Sequence, residues 1–163
     1  MSAELGFNAV TMGMLLSAFA WAYAFMQVPG GYILEKLGPR ITYALSLFFW
    51  SLFTMIMGLG SSFTALFIIR MLIGAAEAPA FPTNNRVVSA WFPDRERATA
   101  TSIYTAAEFI GLAFLTPVLF WILHAFGWQE IFYVTGCVGI IISLFWYLLY
   151  RDPKDCKGVN EAN

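Results

Sequence analysis

Apolar residues fill most of the chain in long stretches that are separated by short polar connections. Five stretches stand out, at approximately 9–34, 41–60, 62–88, 98–124 and 129–150. Each reaches the length of about 20 residues that a helix needs to cross a hydrocarbon core about 30 Å thick. The pattern predicts an all-α, polytopic membrane protein with five transmembrane helices at 1–150, followed by a polar segment at 151–163.

Composition supports a membrane protein over a soluble one. Of the 163 residues, 60% are hydrophobic and 12% are charged, whereas soluble proteins average about 45–50% and about 25%. The two cysteines, Cys137 and Cys156, provide neither a disulfide framework nor a paired-cysteine metal site. The net charge of −1 says nothing by itself about acidic or basic partners, because the charges are distributed unevenly along the chain. We expect no metal, no cofactor and no nucleic-acid partner.

The positive charges predict how the chain is oriented in the lipid bilayer. Lysine and arginine residues near span ends are retained on the cytoplasmic side. If the spans alternate in direction, eight of the nine cations fall on one side: Lys36, Arg40, Arg86, Arg95, Arg97, Arg151, Lys154 and Lys157. The N-terminus is then periplasmic and the 151–163 segment is cytoplasmic. An outside N-terminus without a cleavable signal predicts that a preceding helix is missing and that Met1 is not the natural start.

Three ionisable residues lie inside predicted spans: Arg70, Glu77 and Glu108. A charge in the hydrocarbon costs at least about 2.5–3.5 kcal/mol, so each must face protein or a wet cavity. Arg70 and Glu77 are seven residues apart, which places them on one helix face about 10 Å apart along the axis. We expect Glu77 to accept a proton and Arg70 to attract a carboxylate in one cavity. Alternatively, neighbouring helices simply satisfy both groups.

Other polar residues in the spans have two possible roles. Thr101, Thr105 and Glu108 form a stripe on one helix face, which either lines the cavity or packs as a seam against another helix. Tyr23 and Gln27 share a face and would hydrogen-bond either a polyhydroxylated ligand or a neighbouring helix.

Two prolines are expected to kink or unwind the third stretch. Pro79 and Pro82 each remove a backbone donor, which leaves carbonyl groups in need of partners. Thr83, Asn84 and Asn85 follow, and they either supply those partners or contact a substrate.

The most specific local signal is the loop GYILEKLGPR. It matches the signature G-x-x-x-D-[RK]-x-G-x-[RK], with a glutamate in place of the usual aspartate, at Gly31, Glu35, Lys36, Gly38 and Arg40. This resembles the loop between the second and third helices of the major facilitator superfamily. The resemblance implies that Glu35 and the cations form a charge latch at a cytoplasmic gate, although the loop could also serve topology alone. It further implies that the five spans are helices two to six of an incomplete N-terminal six-helix bundle.

Further segments resemble the anion:cation symporter family within that superfamily. They lie at 17–31, 70–86, 91–98 and 127–132 and are most similar to bacterial hexonate and hexarate permeases of the galactonate and glucarate type. Such inner-membrane proteins import a sugar-acid anion with protons. The resemblance implies that Glu77 is the titrating acid, that Arg70 is the fourth-helix arginine and that Tyr23 faces the cavity. At Glu108, related permeases tend to carry glutamine.

The resemblance therefore implies proton-coupled symport of a sugar-acid anion by the intact parent protein. Its partners would be the anion, protons, the lipid bilayer, the missing first helix and a C-terminal half. The alternative is a truncated membrane fragment that does not transport. An enzyme is not expected, since the sequence contains no HExxH motif, P-loop, nucleophile elbow or Cys/His metal spacing.

Overall fold

The computed structural model describes residues 8–152, and within that range the fold is all-α, with no strand. The helices are α1 (Ala9–Met57), α2 (Phe63–Glu77), α3 (Ala80–Trp91), α4 (Asp94–Phe126) and α5 (Trp128–Leu149). The predicted all-α class is confirmed. Most of the predicted cytoplasmic segment, including Lys154 and Lys157, lies outside the described residues.

Helix α1 is long enough to cross a membrane twice and is broken by a sharp turn. A straight helix of its 49 residues would be about 73 Å long, more than twice the thickness of a hydrocarbon core. The helical geometry breaks at Gly38, with φ 76° and ψ 166°. Glycine suits this left-handed position because it has no Cβ. The first two predicted stretches, 9–34 and 41–60, therefore lie in α1 on either side of Gly38.

Four helical stretches within the described range are long and apolar enough to cross a membrane. They are α1, the combined Phe63–Trp91 segment, α4 and α5. Because α1 is long enough to cross twice, these four stretches leave room for five crossings, and the five spans with their bounds stay a prediction.

The Phe63–Trp91 segment is interrupted where the prolines predict. Helix α2 ends at Glu77, and α3 begins at Ala80 after Pro79. The buried Thr83 hydroxyl donates a hydrogen bond of 2.6 Å to the Pro79 carbonyl oxygen. The predicted interruption is confirmed, and it places Glu77 at the end of a helix.

The core forms where α1 packs against α2 and α5. Leu15, Met57, Leu66 and Ile73 make up its buried cluster. Helices α1 and α2 approach so closely at Gly74 that an added Cβ would collide with the Phe19 carbonyl oxygen. Helix α4 makes far fewer contacts, chiefly with α5 and α3. The chain is thus a well-packed group of helices with α4 loosely attached at its side.

Polar contacts join the second half of α1 to α5. The buried Ser143 hydroxyl donates to the Ala44 carbonyl oxygen at 2.8 Å. Near the Gly38 turn, the Arg40 Nε and Nη2 atoms both donate to the Tyr147 carbonyl oxygen, at 2.9 and 2.7 Å. The Arg40 guanidinium also lies 4.7 Å from the centre of the Tyr147 ring. These contacts hold the turn of α1 to the last turn of α5.

Candidate functional site

A cleft of about 600 Å³ opens between the helices, with walls formed by all five. Its polar lining consists of Tyr23, Tyr43, Glu77, Asn84, Tyr104, Thr105 and Glu108. Trp50, Phe81 and Trp146 contribute aromatic surface. The structure thus brings together five residues selected from the sequence: Tyr23, Glu77, Asn84, Thr105 and Glu108.

Two carboxyl groups face this cleft from different helices. Glu77 is the last residue of α2 and is half-buried. Glu108 lies on α4 and is exposed. None of the residues that line the cleft is a lysine, arginine or histidine. When both carboxyl groups are ionised, the lining therefore carries two negative charges and no positive one, which disfavours an anion. Protonation of either group would remove one of these charges.

Arg70 lies outside the lining of the cleft. It is half-buried on α2, two turns before Glu77 on the same helix face. Its Nε atom is buried and has no hydrogen-bond partner within residues 8–152. The shared cavity expected from the spacing therefore includes Glu77 but not the Arg70 side chain. The proposed attraction between Arg70 and a carboxylate stays a prediction.

Gln27 and Asn85 also lie outside the lining. Gln27 is exposed one turn after Tyr23. Asn85 is exposed on α3, and its Oδ1 accepts a hydrogen bond of 3.2 Å from the Tyr104 hydroxyl on α4. Asn85 therefore positions a tyrosine that lines the cleft, while its neighbour Asn84 lines it directly.

Apart from Tyr23, the sequence did not single out the aromatic residues of the cleft. Tyr43, Trp50, Tyr104 and Trp146 line it, and the Trp146 Nε1 atom is buried without a hydrogen-bond partner in the described part of the chain. Aromatic residues are frequent throughout these apolar helices, so type alone does not separate cleft residues from lipid-facing ones. The i, i+7 spacing of Tyr43 and Trp50 on one face of α1 was the available signal.

The residues of the predicted gate loop surround the break in α1. Gly31 lies within the helix before the break, and Gly38 forms it. Lys36 is exposed, with its Nζ 4.6 Å from the centre of the Tyr32 ring, and Glu35 is exposed. The ion pair between described side chains joins Arg97 to Asp94 and does not involve Glu35. Arg40 binds α5, as described above, and the charge latch stays a prediction.

Within residues 8–152, no group of three or more His, Cys, Asp and Glu side chains is arranged to hold a metal ion. The polar side chains that line the cleft carry carboxyl, phenol, amide and hydroxyl groups. These groups exchange protons and form hydrogen bonds with hydroxyl-rich ligands.

Known proteins resemble this chain in sequence and fold. It is 46% identical over 159 residues to the D-galactonate transporter of Escherichia coli O6:H1 (strain CFT073), covering 98% of this chain and 37% of that protein. It is 41% identical over 165 residues to the probable galactarate/D-glucarate transporter of Bacillus subtilis (strain 168), covering 98% and 36%. A crystal structure of a bacterial homolog of the human lysosomal transporter Spinster, inward-facing and unoccupied, matches with a TM-score of 0.76 at 24% identity, covering 93% and 37%.

These similarities identify the family. The chain spans little more than a third of the length of the relatives it matches, at 36–37%. The sequence profile of the Major Facilitator Superfamily matches residues 1–163. Its relatives are transporters and not enzymes, and the apolar helices are those of a multi-pass membrane protein. The chain belongs to the Major Facilitator Superfamily.

Proposed function

We propose that the intact protein that contains this chain imports a sugar-acid anion, a hexonate or hexarate, together with protons. The single observation that carries the proposal is the pair Glu77 and Glu108, which line one cleft among hydroxyl and amide groups. The relatives named as galactonate and galactarate/D-glucarate transporters support this class of substrate. We place the protein in a bacterial inner membrane, with the N-terminus of this chain periplasmic and residues 151–163 cytoplasmic.

Protonation of Glu77 would couple the proton to the anion. An ionised Glu77 repels a carboxylate in the cleft, and protonation removes that repulsion. Arg70, about 10 Å away along α2, then contributes positive potential, and Glu108 is the one acidic group left in the cleft lining. At that distance a unit charge contributes about 1.7 kcal/mol at an effective dielectric constant of about 20. Loss of the proton to the cytoplasm restores the repulsion and favours release of the anion.

The hydroxyl and amide groups would recognise the rest of the substrate. Tyr23, Tyr43, Asn84 and Thr105 line the same cleft as the two carboxyl groups and can donate to or accept from sugar hydroxyls. Binding at an interface between two helical halves allows alternating access, in which the halves rock about the site. The remaining wall of the cavity would come from the first helix and the C-terminal half.

A Glu77→Gln variant of the intact protein tests this coupling. Glutamine keeps the shape and hydrogen-bonding capacity of the side chain but cannot be ionised. In proteoliposomes we expect the variant to exchange labelled sugar acid for unlabelled sugar acid, but not to accumulate it in response to a pH gradient. Glu130→Gln, an exposed acid outside the cleft lining, is the matched control. Proton-driven accumulation at the unmodified rate by Glu77→Gln would refute the role of Glu77.

A second proposal concerns the 163 residues on their own. Only Ile122 of α4 is buried, and the Arg70 Nε atom is buried without a partner in the described range. A buried guanidinium nitrogen without a partner and a cleft that lacks part of its wall suit association with further helices, so we propose that the isolated chain does not transport. Reconstitution of these 163 residues alone tests this, and saturable uptake of galactonate or galactarate would overturn it.

A further inference from the structure

Glu108 is the second acid of the cleft, and it faces the same space as Glu77. Glu77 lies on α2 and Glu108 on α4, and both line the cleft together with Tyr23 of α1. The Glu108 carboxyl group interacts electrostatically with both Tyr23 and Glu77, so side chains from three helices converge here. Glu108 is exposed, so water can reach its carboxyl group and supply a proton.

No described cation neutralises Glu108 within the cleft. Other titratable groups of the lining come from α1, α2 and from α4 itself, and they are Tyr23, Tyr43, Glu77 and Tyr104. Helices α3 and α5 contribute Asn84 and Trp146 to the lining, and neither side chain titrates. When Glu77 is protonated, an ionised Glu108 is therefore the one negative charge in the described lining.

The size of the cleft determines how a hexarate would meet this charge. A volume of about 600 Å³ corresponds to a sphere about 10 Å across. In an extended six-carbon acid, with bonds of about 1.5 Å, the two carboxyl carbons lie about 6 Å apart. The carboxylate oxygen atoms extend this length at both ends. A bound hexarate therefore reaches opposite walls of the cleft, and its two carboxylates cannot both avoid the two acids.

A substrate carboxylate beside Glu108 favours the uptake of a proton. Two carboxylates in contact repel each other, and such a pair holds one proton between its two members. The proton replaces the repulsion by a short, charge-assisted hydrogen bond between carboxyl and carboxylate. At pH 6 an isolated glutamate and the carboxylates of a free hexarate are both ionised. The proton is therefore taken up on binding and released when the hexarate dissociates.

A hexonate does not need this proton. It has a carboxylate at one end and a hydroxymethyl group at the other. That hydroxyl can donate a hydrogen bond to an ionised Glu108. The two classes of substrate thus differ in the protonation state that they favour at Glu108.

On the basis of the proposed import of sugar acids with protons, we propose that Glu108 binds one additional proton that enters with a hexarate but not with a hexonate. Glu77 holds a proton with either substrate. Glu108 and the second carboxylate of the hexarate share the additional one, which leaves to the cytoplasm with the hexarate. This proton balances the additional negative charge, so both substrates move the same net charge in each cycle. The difference of one proton does not depend on how many protons the rest of the intact protein binds.

The ratio of protons to substrate in proteoliposomes of the intact protein tests the proposal. Uptake of labelled galactonate or galactarate is measured at pH 6 with the membrane potential clamped at zero, while an enclosed pH-sensitive dye records proton entry. We expect the ratio for galactarate to exceed that for galactonate by about one proton. In Glu108→Gln the two ratios should become equal. Glu96→Gln, which changes an exposed acid of α4 outside the cleft lining, should keep the difference.

A binding measurement covers the case in which Glu108→Gln does not transport. The purified protein is titrated with each substrate in a calorimeter, in two buffers of different ionisation enthalpy, which counts the protons taken up on binding. Galactarate should take up about one proton more than galactonate. By linkage, the affinity for galactarate should then fall about ten-fold more per unit rise in pH than the affinity for galactonate. Both differences should be absent in Glu108→Gln.

The outcomes distinguish this proposal from the proposed function. Equal ratios for the two substrates in the unmodified protein, with both accumulated in response to a pH gradient, would overturn the proposal for Glu108 and leave proton-coupled import intact. A difference of one proton that persists in Glu108→Gln would also overturn it, because another group would then bind the additional proton. If neither substrate accumulates in response to a pH gradient, both proposals are wrong.

Discussion

Replacing Glu108 by glutamine is expected to change which sugar acids the intact protein binds. A cleft of about 600 Å³ has the volume of a sphere about 5 Å in radius, so a carboxylate bound near its centre lies about that distance from a lining residue such as Glu108. Two unit charges at about 5 Å and an effective dielectric constant of about 20 repel each other by about 3 kcal/mol. That energy corresponds to about two orders of magnitude in affinity. Glu108→Gln removes this repulsion while keeping the side-chain volume.

The effect should be larger for a hexarate than for a hexonate. A hexonate has one carboxylate and can direct its hydroxymethyl end toward Glu108, whose carboxylate accepts a hydrogen bond from that hydroxyl. A hexarate has a carboxylate at each end and cannot avoid Glu108 in this way. We therefore expect Glu108→Gln to increase the affinity for galactarate about 100-fold and for galactonate less than about ten-fold.

Competition measurements in proteoliposomes test this expectation. Uptake of labelled galactonate is measured at increasing concentrations of unlabelled galactarate and, separately, of unlabelled galactonate. The ratio of the two concentrations that halve the uptake is then compared between variants. Glu96→Gln is the control, because Glu96 is an exposed acid on the same helix but outside the cleft lining. An unchanged ratio in Glu108→Gln, with transport intact, would show that Glu108 does not face the bound anion.

Two further predictions concern stability. Gly74→Ala places a methyl group against a backbone carbonyl of α1 and should destabilise the fold by about 1–3 kcal/mol, which lowers the melting temperature in detergent. Gly13 has open space around it, so Gly13→Ala should not lower the melting temperature. Equal melting temperatures for these two variants would contradict the close approach of α1 and α2. Arg40→Lys loses the two-donor contact with the Tyr147 carbonyl and should cost about 1.5–3 kcal/mol, while Arg95→Lys, an exposed residue, should cost nothing measurable. An Arg40→Lys variant as stable as the unmodified chain would show that the contact does not stabilise the fold.

The sequence predicts the architecture because long apolar stretches and backbone-breaking residues act locally. Span length and composition predicted the all-α membrane fold. Gly38 and Pro79 lie at the two interruptions. Glycine readily adopts a positive φ, and proline has no backbone N–H, so both effects follow from the residue type. The charges inside the spans led to Glu77 and Glu108, because an ionisable group in hydrocarbon needs a wet or protein environment.

Other features depend on packing that the sequence does not encode locally. Helical periodicity placed Arg70 and Glu77 on one face, but the cleft does not extend the two turns along the axis that separate them. Tyr147 gave no signal as a partner of Arg40, since the acceptor is a backbone carbonyl that every residue has. The Trp146 Nε1 atom became notable only when its burial and lack of a partner in the described residues were known.

The contact between Arg40 and Tyr147 also has a consequence for biosynthesis. Its two residues are 107 positions apart, so at about 5–20 residues per second the ribosome needs about 5–20 s to supply the acceptor. During that interval three further membrane crossings enter the bilayer while the guanidinium remains hydrated at the surface. This contact therefore cannot form before α5 has been synthesised, and in a nascent chain arrested before α5 the Arg40 guanidinium would lack the Tyr147 carbonyl as its acceptor.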